Sequence, residues 1–245
     1  LYSVRFTNVG SSLGDYILLT NNAIDNIYEY IAPINGIKQG DYNPIVKLVA
    51  PEKLQIAIIN GDYIPNEKTN VTFEIASSKN DKNLFSTIDD NNNDGIAAKI
   101  STSNQLIKNK LWEIYAKANL DYIDKDFQSI EMIYNPEFNR DWNIETITGK
   151  QSLVKTGLEL SKSSTNQLQY SFEKLDLNET YKGNRHSLQG IVSKNNYSIN
   201  FNSSLLNNQN SSDEGVFFKN NLQSKLNFNK SWLGVALNSE KNERK

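Results

Sequence analysis

Between Trp112 and Tyr122, the residues Trp112, Ile114, Ala116, Ala118, Leu120 and Tyr122 take every second position, and mostly polar side chains fill the gaps. A period of two puts side chains on one side of an extended strand, and a helix would scatter such a set around its axis. The same alternation recurs in Tyr2–Val4–Phe6, Leu54–Ile56–Ile58 and Val71–Phe73–Ile75. Each reads as a half-buried strand. Glycine and asparagine clusters interrupt these runs at short intervals, and the best helical candidate, Ser103–Leu111, is weakly patterned. The expected fold class is therefore all-β.

Gly-Asp-Tyr occurs three times in the N-terminal part, at Gly14, Gly40 and Gly61. Glycine supplies a positive-φ position, aspartate closes an Asx turn and tyrosine opens the next strand, so the tripeptide predicts repeated hairpin corners. The unequal spacings, 26 and then 21 residues, disfavour a strict solenoid. Prolines 33, 44, 51 and 65 fit loops or sheet edges, where no ladder donor is needed. From about Gly149 the texture changes to strands of about ten residues joined by Asn, Ser, Lys and Gly, with no proline after Pro136. The expected organisation is a hairpin-rich β region over 1–148, then an antiparallel meander over 149–245, either an open sheet or barrel-like. Tyr170, Phe172, Tyr197, Phe201, Phe217, Phe218, Phe228 and Trp232 could supply partial aromatic girdles, although serine and asparagine interrupt the apolar side.

The composition excludes several chemistries. With 26 basic against 28 acidic side chains, the chain lacks the positive field that phosphate backbones require, so nucleic acid is not an expected partner. It has no cysteine, one histidine and one methionine, which removes disulfides, thiol nucleophiles and cysteine zinc sites. No apolar run reaches the length of a membrane helix, but barrel strands alternate and escape that criterion. The alternating start at LYSVRFTNVG and the end at NSEKNERK read as those of a mature or excised piece.

Four stretches invite a chemical reading. Asp90, Asn92, Asp94 and Gly95 match the first half of a calcium loop, with Ile96 at the carbonyl position and Asp81, Asn83 and Asp89 as further oxygen donors. Ser101 stands where a bidentate glutamate belongs, so an EF-hand is refused and a solvated turn is favoured over a calcium site. His186 is the only imidazole and has no partner motif around it. Glu137 and Asp141, with Arg140 and Trp142 beside them, could do glycosidic acid–base work, but an ion-paired corner next to a buried tryptophan is the commoner arrangement. Asn70, Asn178, Asn196, Asn202 and Asn210 begin N-x-S/T triplets that a chain this rich in asparagine and serine contains by chance.

The segments GDYNPIVKLVAP (40–51), FEIASSKNDKNLFSTIDDNNNDGIAAK (73–99) and FQSIEMIYNPEFNRDWN (127–143) resemble parts of large β-rich outer-membrane and cell-surface proteins of Bacteroidota-type Gram-negative bacteria. The resemblance spans roughly residues 14–143 and carries no catalytic residue. It implies export, residence at the outer membrane or cell surface, and assembly with other outer-membrane or surface proteins. The leading expectation is a non-enzymatic structural, transport or adhesion component, associated with the membrane through a β-barrel and needing no cofactor unless calcium binds near Asp90. The alternative is a secreted, calcium-braced β-sandwich that binds glycan on Trp112, Trp142 or Trp232.

Overall fold

The computed structural model describes residues 4–21, 26–46, 49–88, 90–178, 180–211 and 213–244. Tyr2 and Asp89, singled out in the sequence, lie outside them. The fold is all-β, and the only α-helix among the described residues is four residues long, α1 (Phe138–Asp141). The chain divides into two compact units between Pro51 and Glu52. The change of texture near Gly149 falls instead between neighbouring strands of one sheet.

The first unit is a four-stranded sheet in the order β1 (Thr7–Asn8), β4 (Tyr42–Asn43), β2 (Tyr16–Asn21), β3 (Asn26–Tyr30). Its two Gly-Asp-Tyr copies are not the expected corners: they lie antiparallel to each other. The Gly14 and Gly40 amides each donate to the other's carbonyl, at 2.8 and 3.1 Å, and Tyr16 pairs with Tyr42. A Cβ on Gly14 would sit 2.4 Å from the Tyr42 backbone, and one on Gly40 2.4 Å from that of Tyr16. Glycine is needed here for close approach; the glycines with positive φ are Gly10, Gly36 and Gly149. The third copy is also no corner, because Gly61 lies inside a strand under the Phe73 ring.

The second unit is a ten-stranded antiparallel meander in simple chain order: β5 (Lys53–Asn66), β6 (Thr69–Asp81), β7 (Asp94–Lys108), β8 (Glu113–Ile123), β9 (Gln151–Ser163), β10 (Asn166–Asp176), β11 (Tyr181–Lys194), β12 (Tyr197–Asn210), β13 (Glu214–Phe228) and β14 (Ser231–Arg244). The weakly helical stretch from Ser103 is the end of β7. At one end of the sheet four of the five connections are two residues long. Asn195 and Asn229 open two of them at φ 51° and 45°, the left-handed region asparagine tolerates best after glycine. At the other end the connections include 82–93 and 124–150. Strands β5 and β14 are the edges of this open sheet, and Pro65 lies in β5, where its missing donor faces no ladder.

The register slants. One row of partners runs Asp62, Thr72, Ser101, Asn119, Lys155, Glu173, Arg185, Leu206, Phe217, Asn242 from edge to edge. Asp62 stands five residues before the Glu67–Lys68 turn, whereas Asn242 stands twelve beyond Lys230. Seven residues of drift over nine steps tilt the strands by roughly 30° away from the perpendicular to the line of turns, near the tilt that closes barrels.

Alternation was expected to bury the apolar side, and here the outcome is reversed. Ile59, Ile75, Ile96, Leu120, Leu158, Leu188, Leu205 and Leu237 all point to one face and are exposed, Ile59 at 69% and Leu158 at 52%. The opposite face carries Glu74, Lys99, Asp121, Lys155, Glu173, Arg185 and Lys219, and it is this polar face that the long connection 124–150 covers.

Candidate functional site

The covering connection is seated from its first residues. The amide of Asp124 donates to the Ile96 carbonyl at 2.8 Å, and that of Gln128 to the buried Ser78 Oγ at 3.0 Å. Gly95 makes this approach feasible: a Cβ there would lie 2.2 Å from the Phe127 nitrogen. The sequence had assigned Gly95 to a sharp turn, but it lies in β7 with φ outside the positive region, and its service is to leave room overhead.

Helix α1 then delivers Trp142 to the centre of the buried cluster, 1% exposed, against Phe138, Leu175, Leu177, Tyr181, Leu206 and Phe217. The Tyr181 hydroxyl donates to the Trp142 carbonyl, and the Arg185 guanidinium lies 4.3 Å from the centroid of the indole. Around this anchor the charges are paired across the sheet. Glu173, 3% exposed, accepts from Arg185 and from Lys155, the latter at 2.9 Å. An isolated buried carboxylate costs several kcal/mol, so two flanking cations are what make this position tenable. Arg140 Nη2 donates to Glu240 at 2.8 Å, Lys219 to Asp141 at 3.1 Å, and Asn242 Nδ2 to Asn143 at 3.1 Å.

Beside the anchor, the connection and strands β5–β11 flank a half-open recess of about 860 Å³ lined by Ile58, Ile123, Met132, Tyr134, Asp121 and Lys155 among others. The Tyr134 hydroxyl and Asp121 Oδ1 are buried there without a hydrogen-bond partner in the protein. Tyr134 stacks on Phe138 with centroids 3.8 Å apart. Burial, and then the charge of Asp121, pushes its phenol up to about 12. A raised folded pKa leaves stability intact below the unfolded value near 10 and removes it as pH climbs toward 12. Tyr134→Phe, which deletes an unpaired hydroxyl, is therefore expected to be neutral or stabilising by up to about 1 kcal/mol at pH 7. It should also flatten the alkaline loss. Denaturant unfolding between pH 7 and 11.5 checks both, and an equally steep alkaline limb in the variant would contradict them.

Among the sequence-predicted sites, Asp90 and Asn92 form a single 3-10 turn. Asp90 Oδ1 accepts from Asn93 Nδ2 at 2.9 Å, while Asp94 begins β7 opposite Lys79. Among the described residues no three histidine, cysteine, aspartate or glutamate side chains converge as a metal site would require. Glu137 lies 3.5 Å from Arg140 and Asp141 is held by Lys219, so both carboxylates are ion-paired beside the buried Trp142. Burial also takes Trp142 out of use as a stacking platform, while Trp112 and Trp232 lie by the short turns with Lys162 and Lys225 over their rings. His186 lies on the exposed apolar face, its Nδ1 2.8 Å from the Tyr170 hydroxyl.

Glu173, Arg185 and Lys155 were missed by sequence reasoning. The pairing of Asp176 with Lys182 places Glu173 opposite Arg185, whereas a turn at Ser164–Thr165 alone would set Lys155 opposite Lys174; the register shift between Asn166 and Gln167, which no local sequence signal announces, brings Lys155 to Glu173. No family model matches this chain, and no curated protein or solved structure is significantly similar to it. No helix among the described residues is long and apolar enough to cross a membrane, a criterion that does not bear on strands.

Proposed function

We propose that residues 52–245 form part of the wall of a membrane-spanning β-barrel at the outer membrane of a Gram-negative bacterium, with connection 124–150 folded into the lumen and a structural rather than catalytic role. The inversion of polarity across the sheet carries this reading. A barrel in water packs apolar side chains inside, whereas one in lipid turns them outward and keeps charges within. On β8 the outward set Ile114–Tyr122, and on β12 Tyr197–Leu205, each span nine residues, which at the observed slant make an apolar belt roughly 25 Å tall. Tyr63, Phe228 and Tyr197 lie at its margin by the short turns, and Lys174, Lys182 and Lys241 stand outward beyond its far margin. Short turns at one end and long connections at the other also match the pattern of such barrels. In hydrocarbon the open edges β5 and β14 need partners, supplied by further strands or other outer-membrane proteins.

Export of the chain in a Gram-negative host, followed by carbonate washing of the envelope and flotation with phospholipid vesicles, tests the proposal. Retention in washed membranes and flotation with the vesicles are expected. Recovery as a monomer in detergent-free buffer would overturn it.

A further inference from the structure

One line of residue pairs on the covered face differs from the rest. Gln169, Gln189, Asn202, Asn221 and Asn238 are direct partners on five successive strands, β10 to β14. Their side chains share the face that carries Arg185, Lys219 and Glu240, because each is an even number of residues from one of these along its strand or is paired with one that is. Five carboxamides thus stand side by side at the strand spacing of about 4.8 Å, a track roughly 19 Å long. None of the five makes a side-chain hydrogen bond within the described protein, in contrast to the paired charges one step closer to the long connections. Gln189, Asn202 and Asn238 are exposed, and a recess of about 470 Å³ lies over Gln189, Asn202, Asn221 and Lys219.

A carboxamide offers two donors and a two-lone-pair acceptor without charge. A row of them neither attracts nor repels ions strongly, and it suits a ligand whose groups donate and accept alternately along its length. Hydroxyls do so; carboxylates, phosphates and ammonium groups do not. We infer that the amide track of β10–β14 binds a neutral oligosaccharide laid across the strands. The inference rests on the barrel reading, which makes this face the lumen wall.

The test uses the full chain in detergent, titrated by calorimetry with maltoheptaose, cellohexaose and chitohexaose, with oligogalacturonate as the anionic comparison. At least one neutral oligomer is expected to bind, with oligogalacturonate weaker. The pair Asn202→Leu and Asn221→Leu should weaken binding by roughly tenfold or more, two hydrogen bonds at about 1 kcal/mol each. Asn202→Gln with Asn221→Gln, which keeps the amides, should retain most of it. Silence toward all three neutral oligomers, stronger binding of oligogalacturonate, or equal binding by the leucine pair would overturn the inference. Vesicle flotation of the same variants separates the two ideas: a chain that floats but ignores sugar keeps the barrel and loses the track, and one that does not float loses the barrel.

Discussion

Trp142→Ala is expected to cost about 3–5 kcal/mol of unfolding free energy, the range for deleting a buried tryptophan or phenylalanine from a packed core. The side chain is 1% exposed and touches residues from β10 to β13, so its removal leaves a void that those strands cannot close without breaking register. It also strips Arg185 of the ring beneath its guanidinium. Because the sheet has its own continuous ladder, the loss should concentrate on seating of connection 124–150. Limited proteolysis within that segment should accelerate while far-ultraviolet circular dichroism stays strand-like. A drop below about 1 kcal/mol with unchanged cleavage would show that the connection is held by its polar contacts instead. Tyr181→Phe, which removes only the bond to the Trp142 carbonyl, should cost about 1 kcal/mol and leave the segment protected.

Leu120→Arg is the second large effect, and its sign of environment is its interest. Leu120 sits at 42% exposure in the middle of the outward belt. An exposed arginine in water changes stability by less than about 0.5 kcal/mol, whereas one on the lipid face of a barrel at mid-depth costs about 2–4 kcal/mol. Ser101→Arg, on the next residue of the neighbouring strand and therefore on the covered face, serves as its control and should cost less than Leu120→Arg in lipid. Unfolding of both variants in vesicles and in a zwitterionic detergent gives the comparison. Equal costs for the two positions would mean that the apolar belt does not face hydrocarbon.

Alternation along Trp112–Tyr122 made β8 legible, and the same signal reached most of the ten long strands, because a period of two needs only neighbouring residues to be read. The face that is covered was not legible. A strand with apolar residues on one side looks the same whether that side or the other is covered, and the cover here depends on contacts such as Arg140 reaching Glu240, a hundred residues away. The Gly-Asp-Tyr copies failed for a related reason: Gly14 and Gly40 are explained by each other across the sheet and not by any local turn. Gly95 likewise is required by Phe127, which no window around residue 95 contains. Corner chemistry at Glu137–Trp142 was better read, since Arg140 and its acidic neighbours are local to the helix that presents the tryptophan.

The lopsided lengths of the connections bear on how such a sheet could enter a bilayer. A hairpin tipped by Ser164–Thr165 or Asn229–Lys230 drags few unpaired peptide groups through hydrocarbon. The 124–150 segment, with its ion pairs and helix, would carry dozens. In the barrels of the proposal above, short turns stay on the periplasmic side and long connections lie outside, so the 124–150 segment would have to cross already folded against the polar face, with its ion pairs made, and not as an open loop.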